Sequence, residues 1–498
     1  MKKISNGVMD IFPIKKDFIK LAKKANVIPV YKEILADLET PVSSFLKIEE
    51  GSYSYLLESV EGQEKIARFS FLSTRPTLIF KSKDRVIEII EGNKTKKFIT
   101  DSDPLEEIKK IISKYKFAHL QALPRFCGGF VGYIGYDIVR FFERLPDKNP
   151  DDLDLPDMVF MLSNNVVAFD HVNHKIKIIS NVILPKNVKN LDSYYNKAVK
   201  NISYLEKKLK TSIKIKERAK REKSSQKIES NFSYTNFKKI VKKAKEYIRH
   251  GDIIQVVLSQ RFKVKTNTDA FSLYRNLRSL NPSPYMYFLK FKETILIGSS
   301  PELLLRCENN VVSTRPIAGT RPRGKNELED QVLKKELLND KKEKAEHLML
   351  VDLGRNDLGR VSKFGSVKLT EFMNVENYSH VMHIVSEVQG QLRKGKCSFD
   401  ALRAAFPAGT VSGSPKIRAM EIIDELENIK RGPYAGAVGY FDFSGNLDTC
   451  ITIRTIVMKK NIAYVQAGAG IVADSDPRRE YFETVNKAKA LIETIKTS

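Results

Sequence analysis

The sequence predicts an α+β protein with antiparallel sheets, and three observations support this fold class. Strand-like segments rich in β-branched residues follow one another directly, as in 435–443 and 448–458. Helices with one apolar face occur between such groups, the clearest at 233–252. Strands and helices do not alternate in the regular way that indicates a parallel sheet with crossover helices. We therefore expect adjacent antiparallel strands with helices packed against them.

The length and composition indicate a globular protein of two or three ordinary domains, or one very large domain. The chain has 498 residues, of which 42% are apolar and 29% charged, as in ordinary soluble proteins. The formal net charge of +25 is compatible with nucleic acid, an acidic surface or an anionic substrate as partner. Because the basic excess is spread along the chain, we interpret it as a lysine-rich composition and expect no nucleic-acid partner.

Cysteine spacing and hydropathy point to a reducing compartment. The four cysteines lie far apart and form no CxxC pair, so zinc-knuckle and redox-dithiol motifs lack support. Scattered thiols of this kind fit a reducing environment. The N-terminal segment breaks at Asn6 and Gly7 before any apolar stretch, so no signal peptide is visible. No run approaches the roughly 20 apolar residues of a membrane span, and we expect a cytoplasmic protein with no membrane partner.

The first region, 1–198, is predicted to consist of short elements. Residues 77–90 indicate two strands around a Lys-Asp turn. Residues 104–115 place their apolar side chains on one helical face after a proline start. Residues 127–137 alternate glycine with large side chains, which indicates a strand that another backbone approaches closely.

A basic segment separates this region from the rest of the chain. Residues 199–229 contain few large apolar side chains in their second half, and we predict a solvated helix followed by a loose linker. A nucleic-acid-binding arm is the alternative, but Tyr204 is its single aromatic side chain, and bases need aromatic platforms for stacking. We place the linker at 199–232 and the second region at 233–498.

The second region supplies most of the predicted elements. Apolar side chains trace a helical stripe through 233–252, and Gly251 stands where a C-terminal cap is expected. The further predicted strands are 253–262, 285–291, 435–443, 448–458 and 462–468. The further predicted helices are 327–350, 398–405, 415–426 and 477–495.

Two pairs of glutamates at helical spacing are the candidate metal ligands. Glu343 and Glu346 lie three residues apart on one predicted helix, and Glu480 and Glu483 repeat that spacing on the last helix. Residues at this spacing share a helix face about 5–6 Å apart, so like charges repel unless a positive charge lies nearby. A hard divalent cation such as Mg²⁺ would supply it. The alternative is that each pair is simply solvated on a helix surface.

Three loops rich in small residues are candidate anion sites. They lie at 316–320, 406–416 and 466–477, and the second precedes a predicted helix. Backbone N–H groups in such turns suit a carboxylate, and Arg315 and Arg321 beside the first loop would add bidentate donors. With the glutamate pairs, the loops indicate a small polyanionic substrate bound with a metal. Tight turns without a ligand are the alternative, and no nucleotide-binding spacing is present.

The order and spacing of many segments resemble the chorismate-utilising enzymes. Between about residue 235 and 493 the segments are DIIQVVLSQRF, SSPELLLR, RPIAGTRPRG, EHLMLVDLGRNDLGRV, VMHIVSEV, FPAGTVSGSPK, GAVGYF, IRTIV, QAGAGIVADSDP and EYFETVNKAKA. Upstream, LADLETPVSSFLKI and SYLLESVEG resemble the N-terminal, regulatory part of anthranilate synthase large subunits. The resemblance covers nearly the whole chain and implies large antiparallel β-sheets packed as a sandwich with helices outside.

The resemblance also implies a metal-dependent reaction on chorismate, a dicarboxylate. Glu346 and Glu483 would bind Mg²⁺, and the other two glutamates would assist through water. The implied substrate-binding residues are Gly319, Thr320, Tyr434, Arg454, Gly468, Ala469, Gly470 and Lys487. The implied catalytic residues are Glu302, His383 and Thr410. Packing of Tyr434 and structural pairing of Arg454 are the alternatives for those two residues.

Two positions distinguish the branches of this family. Isochorismate- and salicylate-forming members carry a lysine base where this chain has Gln255, and aminodeoxychorismate synthases typically carry a lysine where it has Ala318. Neither residue here can do that chemistry, so the chain resembles anthranilate synthase, in which free ammonia adds to the ring. Aminodeoxychorismate synthase is the first alternative, and an isochorismate or salicylate synthase is the second. A non-catalytic basic binding protein is the alternative from another class.

In this resemblance Glu302 protonates the departing ring hydroxyl. His383 assists proton removal as pyruvate leaves and the ring becomes aromatic. Each residue has a structural alternative, since Glu302 could cap or form a salt bridge and His383 could be a core residue. His380 competes with His383, because it lies one turn away on what is predicted to be the same helix.

A partner and an inhibitor follow from the same resemblance. Free ammonia is scarce at neutral pH, and the chain shows no Gly-x-Cys-x-Gly elbow of a glutaminase. A separate glutamine amidotransferase subunit would therefore supply ammonia. This branch makes the first step of tryptophan biosynthesis and is inhibited by tryptophan, and the matching residues are Ser59, Pro284, Tyr285 and Met286, with Leu57 beside them. A plain strand entry at 284–291 is the alternative.

Overall fold

The computed structural model describes residues 11–59, 68–213, 227–378 and 381–497. Within these ranges the helices are α1 (Lys15–Ala22), α2 (Pro41–Ile48), α3 (Pro104–Ile112), α4 (Leu191–Leu209), α5 (Tyr234–Arg249), α6 (Ala270–Leu280), α7 (Glu327–Asn339), α8 (Lys341–Gly359), α9 (Ser398–Ala405), α10 (Lys416–Leu426) and α11 (Pro477–Thr497). Short 3₁₀ helices lie at Tyr136–Phe141 and Gly409–Val411. Among these described helices, none has the length and apolar character needed to cross a membrane.

The strands of the described ranges are short and numerous. They are β1 (Ile11–Phe12), β2 (Val27–Leu35), β3 (Tyr53–Glu58), β4 (Phe69–Thr74), β5 (Leu78–Lys83), β6 (Val86–Glu91), β7 (Lys94–Ile99), β8 (Gly129–Ile134), β9 (Met158–Ser163), β10 (Asn165–Asp170), β11 (Lys175–Ile183), β12 (Ile228–Ser230), β13 (Gln255–Lys265), β14 (Tyr285–Phe291), β15 (Thr294–Ser300), β16 (Leu303–Glu308), β17 (Val311–Thr314), β18 (Ile317–Pro322), β19 (Lys368–Asn377), β20 (Val381–Gln391), β21 (Gly413–Ser414), β22 (Ala437–Asp442), β23 (Leu447–Ile451), β24 (Thr455–Lys459) and β25 (Ile462–Ile471).

These strands form two large sheets in the described part of the chain, and all their ladders are antiparallel. The first has 13 strands in the order β1-β2-β11-β10-β4-β3-β14-β15-β24-β25-β13-β12, with β21 paired to β13. The second has 12 strands in the order β18-β20-β17-β16-β23-β22-β8-β9-β5-β6-β7, with β19 paired to β20. The predicted α+β class with antiparallel sheets is confirmed.

The two sheets pack face to face. One core contains buried side chains of both, among them Tyr55 and Leu289 from the first sheet and Val131 and Tyr440 from the second. Helices α1, α2, α4, α6 and α11 cover the outer face of the first sheet, and α3, α8 and α9 cover that of the second. The sandwich with helices outside is therefore confirmed. Its driving force is apolar burial, worth about 1.5–3 kcal/mol for each large side chain fully buried.

Strands from both predicted regions pair within each sheet. In the first sheet β3 pairs with β14, and in the second β8 pairs with β22. The regions 1–198 and 233–498 therefore build the same two sheets, and the boundaries drawn between them stay predictions. Gly132 shows why β8 needs glycine, because an added Cβ would lie 1.9 Å from Val159 O of the neighbouring strand. The close backbone approach predicted for 127–137 is confirmed.

The basic segment between the regions is only partly as predicted. Helix α4 continues to Leu209 and buries Ile202 and Leu205 against the first sheet, so the solvated helix predicted there is wrong. Apolar residues at helical spacing within the basic sequence are the physical reason. The linker residues 214–226 lie outside the described residues.

Three further elements differ from the sequence prediction. The predicted helix 327–350 is two helices, because the Asp340 carboxylate caps α8 by accepting hydrogen bonds from its first backbone N–H groups. The predicted strand 448–458 is interrupted at Arg454, whose φ of +51° ends the extended run. His383 lies on β20 and not on a helix, and His380 lies outside the described residues.

Candidate active site

Gln255, the first residue of β13, lies between α8 and β25 at the candidate site. Its Nε2 donates a hydrogen bond to Glu346 Oε1 on α8 at 3.3 Å. The same amide lies against β25, since a Cβ added at Gly470 would be 2.6 Å from Nε2. Its Oε1 is buried and has no hydrogen-bond partner among the described residues. Gln255 therefore joins the first glutamate pair to the strand that carries the predicted substrate-binding glycines.

The first glutamate pair lies in the first two turns of α8. Glu343 and Glu346 are both half-buried. Burial raises the pKa of Glu343, and the neighbouring Glu346 carboxylate raises it further, whereas Arg321 opposes this from 3.5 Å. The pair thus places two like charges at the edge of the protein interior, and Arg321 only partly offsets them.

The second glutamate pair lies in the first two turns of α11. Burial raises the pKa of Glu480, the Ser475 hydroxyl opposes this, and the Glu483 carboxylate adds to it. Lys342 of α8 also lowers this pKa, so the N-terminal ends of α8 and α11 border the same space. Glu483 is more exposed, and its Oε1 lies 2.6 Å from Lys487 Nζ.

The chemistry of these side chains fits Mg²⁺, although the four carboxylates are not gathered into one cluster. Among the described residues, no three or more His, Cys, Asp or Glu side chains lie close enough together to hold a metal ion. The available donors are carboxylate oxygens and the unpartnered Gln255 Oε1, which are the oxygen ligands that Mg²⁺ prefers. Each pair also contains a carboxyl whose pKa its like-charged neighbour raises, a repulsion that a cation would relieve. Ligation by all four glutamates stays a prediction.

Glu302, between β15 and β16, is a buried acid with only 7% of its surface exposed. Burial raises its pKa to about 8, although Thr410 and Lys487 act in the opposite direction. The carboxyl is therefore largely protonated at neutral pH and can donate a proton. The Thr410 hydroxyl adjoins it, yet Thr410 Oγ1 makes no hydrogen bond of standard geometry with the described residues.

His383 is held as a neutral ring. It lies opposite Thr320 in the pairing of β18 with β20. Its Nδ1 is 2.9 Å from Gly319 O and 3.1 Å from Thr320 Oγ1. Because a carbonyl can only accept, Nδ1 carries the proton and Nε2 is left as an acceptor. Burial lowers the pKa of His383, and Gly319 O opposes this, so the ring remains a candidate base.

Two of the three predicted loops are strands. Gly319 lies in a bulge of β18 with a φ of +70°, and an added Cβ would lie 3.2 Å from Glu343 Oε2. The small residues Gly468, Ala469 and Gly470 lie within β25, which continues to Ile471. An added Cβ at Gly468 would lie 2.7 Å from Tyr434 Oη. Small residues are needed here because side chains from other elements come close to the strand backbone.

The loop at 406–416 is closer to its prediction. It contains the 3₁₀ helix Gly409–Val411 and strand β21, and it leads into α10 with Pro415 at the N-cap. Thr410 is carried by that 3₁₀ helix. The turn therefore places a hydroxyl beside Glu302.

An open cleft of about 950 Å³ lies along the first turns of α11, and Arg454, Lys487 and Glu483 are among its lining residues. Arg454 Nη1 donates to Lys487 O at 3.3 Å, and Lys487 Nζ donates to Gly468 O at 3.1 Å. Two cations thus lie beside β25, as a dianionic ligand requires. Tyr434 instead lines a separate cavity of about 20 Å³.

The arginines around Ala318 bind carboxylates of the chain itself, so their predicted role as substrate-binding donors is wrong. The pairs are Arg315 with Glu371 and Glu376, Arg321 with Glu336, Asp340 and Glu343, and Arg323 with Asp330. These partners belong to α7, α8 and β19 or lie at their ends. The arginines fasten β18 to its neighbours, and the basic sequence could not reveal this because the acids are distant or lie on other elements.

A second pocket brings together the residues predicted to bind an inhibitor, namely Leu57, Ser59, Pro284, Tyr285 and Met286. Ser59 Oγ is buried and lacks a hydrogen-bond partner in the described ranges. Tyr285 Oη donates to Asp448 Oδ1 at 2.9 Å. Strand β23, which carries Asp448, ends at Ile451, whose N–H donates to Glu302 O at 3.0 Å. The pocket is therefore one short strand away from the buried acid.

The buried ion pair of Glu427 and Arg431, which contacts the Thr410 turn and β13, was not predicted from the sequence. Glu427 is 4% exposed and Arg431 2% exposed. The available signal was an acidic and a basic residue four positions apart, in the segment between an apolar helix and a strand. A surface pair has the same spacing, so burial could not be inferred.

Comparison with known proteins identifies the family of the chain. Residues 53–493 match the chorismate binding enzyme family. Anthranilate synthase component 1 of Acetivibrio thermocellus is 53% identical to this chain over 480 residues, which cover 95% of this chain and 96% of the relative.

Two solved structures resemble the fold. Anthranilate synthase component I from Streptococcus pneumoniae superposes with a TM-score of 0.77 at 38% identity, over 92% of this chain and 98% of that one. The menaquinone-specific isochorismate synthase from Escherichia coli has a TM-score of 0.70 over 97% of this chain and 98% of its own, and at 18% identity it shows the shared fold alone. With 441 consecutive positions from 53 to 493 matched and relatives similar over nearly their full length, the chain belongs to the chorismate binding enzyme family.

Proposed function

We propose that the chain is the large subunit of an anthranilate synthase, which converts chorismate and ammonia to anthranilate and pyruvate. The main support is the presence of a protonated acid and a neutral base under the influence of two cations that line one cleft. Electrostatic interactions connect these groups, because Lys487 acts on Glu302 and Arg454 acts on His383. Such paired acid and base groups with separated pKa values are typical of enzymes that move protons near neutral pH.

Glu302 serves as the acid of the first step. Ammonia forms a bond to the ring carbon beside the carboxylate-bearing carbon while the ring double bonds shift and the C–O bond of the ring hydroxyl breaks. The hydroxyl leaves as water with the Glu302 proton, and the new ammonium group gives up one proton, so that Glu302 can be protonated again. A carboxyl with a pKa of about 8 holds that proton at neutral pH. Positioned acid catalysis of this kind contributes typically about 10²–10⁴-fold.

His383 serves as the base of the second step. Its Nε2 accepts the ring proton, the electrons of that C–H bond complete the aromatic ring, and the C–O bond to the enolpyruvyl group breaks. The released enolate takes up a proton at its methylene carbon and becomes pyruvate. The Gly319 carbonyl fixes the required tautomer by accepting from Nδ1. The lowered pKa of His383 keeps Nε2 free to accept.

Substrate binding uses the cleft beside β25. Arg454 and Lys487 attract the two carboxylates of chorismate, and the glycines of β25 let Tyr434 and Gln255 approach the strand beside this cleft. Glu346 and Glu483 would hold Mg²⁺, with Glu343 and Glu480 assisting through water, and the bound ion would withdraw electron density from the ring carboxylate.

Gln255 and Ala318 support the ammonia-using branch. Gln255 is an amide committed to Glu346 by hydrogen bonding and has no basic group to activate water. Ala318 is 9% exposed in β18 and carries no nucleophile. Ammonia must then come from outside the chain, and we propose a glutamine amidotransferase subunit as its source. We also propose tryptophan as the ligand of the second pocket, where Ser59 Oγ offers an unused hydrogen-bonding group.

The proposal is tested by incubating the purified chain with chorismate, ammonium and Mg²⁺. Fluorescent anthranilate is expected, and tryptophan should suppress its formation. Accumulation of aminodeoxychorismate instead would reassign the chain to that branch, and isochorismate would assign it to the water-adding branch. Steeply salt-dependent DNA binding without any turnover would favour a non-catalytic basic protein.

A further inference from the structure

The buried Glu427–Arg431 ion pair makes two parallel contacts. Arg431 Nε donates to Glu427 Oε2 at 2.9 Å, and Arg431 Nη2 donates to Glu427 Oε1 at 2.6 Å. Exposed ion pairs contribute little, but removal of one partner from a buried pair leaves an uncompensated charge. The ion pair is therefore held in place within the protein interior. The other contacts of these two side chains show which segments the pair holds together.

The remaining Arg431 donors bind backbone carbonyls of two separate site segments. Nη1 donates to Val411 O at 2.7 Å, and Val411 follows Thr410 directly. Nη2 donates to Val257 O of β13 at 2.7 Å. The guanidinium carbon also lies 5.5 Å from the ring centroid of Tyr434. One cation thus contacts the Thr410 turn, the strand beside β25, and a predicted substrate-binding tyrosine.

Glu427 holds the same strand at a second point. The backbone N–H and the hydroxyl of Ser259 both donate to Glu427 Oε1 at 2.8 Å. Ser259 lies opposite Gly468 in the pairing of β13 with β25. Gln466 Nε2 donates to Ser259 Oγ at 2.9 Å, which completes the network. The pair therefore fixes β13 opposite the small residues of β25 that Tyr434 and Gln255 approach.

We infer that Glu427 and Arg431 are positioning residues for the catalytic turn. Arg431 ties the Thr410 turn to β13, and Glu427 anchors Arg431 and β13 together, so that the Thr410 hydroxyl is held beside the Glu302 carboxyl. Both residues are buried, and neither lines the cleft beside α11. The inference rests on the proposed function for the roles of Glu302 and Thr410 and for the identity of the product. A pair that served stability alone would change the folded fraction and leave each folded molecule fully active.

The substitution Arg431→Lys tests this role. Lysine keeps the charge, but a single ammonium cannot bind Glu427, Val411 and Val257 in the planar fork that arginine uses. Misplacement of a site by about 1 Å costs up to about 100-fold, and we expect kcat/KM for chorismate to fall about 10- to 100-fold per folded molecule. The matched control is Arg403→Lys, which breaks a two-point contact with Asp103 between α9 and α3. That control should keep the wild-type kcat/KM.

A double-mutant cycle shows whether Arg431 acts through Thr410. Thr410→Ala removes the hydroxyl that Arg431 positions, so Arg431→Lys should cost much less in that background than alone. A purely structural role predicts that the two losses multiply. Full multiplication, or a kcat/KM of Arg431→Lys equal to that of the Arg403→Lys control, overturns the inference.

Two provisions keep the test decisive. If Arg431→Lys does not fold, Ser259→Ala is used instead, because it removes one contact of Glu427 with β13. A raised KM for chorismate in Ser259→Ala supports the inference, and an unchanged KM overturns it.

Turnover is followed as loss of chorismate, so a product other than anthranilate overturns the proposed function without affecting this comparison. If no variant consumes chorismate, the rise in Tm caused by chorismate is compared. A smaller rise in Arg431→Lys than in the control supports positioning, and equal rises overturn it.

Discussion

Replacing Glu302 by glutamine changes the protein in two ways that the structure allows us to separate. Glutamine has nearly the same shape but carries no titratable proton. The variant therefore removes the acid of the first step, and it also removes the free-energy cost of ionising a buried carboxyl. Activity and stability should consequently move in opposite directions at alkaline pH.

The magnitude follows from the pKa of Glu302, which burial raises from 4.5 to about 8. Between these pH values the folded state holds a proton that the unfolded state has released, so the stability of the wild type falls as pH rises. At about 1.4 kcal/mol per pH unit, the full cost is on the order of 5 kcal/mol above the folded-state pKa. Glu302→Gln should therefore be several kcal/mol more stable than the wild type at about pH 9 and equally stable at about pH 4.

The assay is thermal or urea unfolding of both proteins across this pH range, alongside kcat for anthranilate formation. The kcat of the wild type should fall above about pH 8, and Glu302→Gln should lose about 10²–10⁴-fold below that pH. Asp442→Asn is the control, because Asp442 is another buried acid, with a pKa raised to about 7, that lies outside the proposed catalytic groups. If the wild type and Glu302→Gln showed the same pH dependence of stability, the argument for a protonated Glu302 would be refuted.

Three other predictions test the remaining groups. Glu346→Gln should abolish turnover and weaken Mg²⁺ binding in calorimetry while the circular dichroism spectrum stays unchanged. The control is Glu493→Gln, on the later part of α11. A Mg²⁺ affinity of Glu346→Gln equal to that of the wild type would contradict the metal assignment. His383→Asn should lower kcat about 10²–10⁴-fold. In the wild type, kcat should also fall at acidic pH as His383 becomes protonated, with a midpoint below the ordinary histidine pKa of about 6.5 because burial lowers this pKa. The variant should lack this fall in kcat, and a variant that retained it would show that another group is responsible. Ser59→Ala should raise the tryptophan concentration for half-inhibition about tenfold, because the variant loses one hydrogen bond between the Ser59 hydroxyl and a charged group of tryptophan. An unchanged concentration would show that Ser59 is not part of the inhibitor site.

Local sequence patterns determined most of the elements and the identity of the candidate residues. The period of apolar residues identified α3, α5 and α11, and the three-residue spacing of the glutamates placed each pair on one helix face. These features depend on neighbours within a few residues, so the chain alone specifies them. The family resemblance added residue roles but not their environments.

The tertiary structure decided how those residues are paired and charged. Arg321 lies beside a Gly-Thr turn in sequence, but in the fold its guanidinium is neutralised by acids at the start of α8. Arg431 meets Val257 O across 174 positions of chain. The raised pKa of Glu302 depends on desolvation by packed elements from across the chain. Contacts between distant segments form, and water is excluded, only when the sheets have packed. Local sequence patterns therefore could not predict these pairings or the raised pKa.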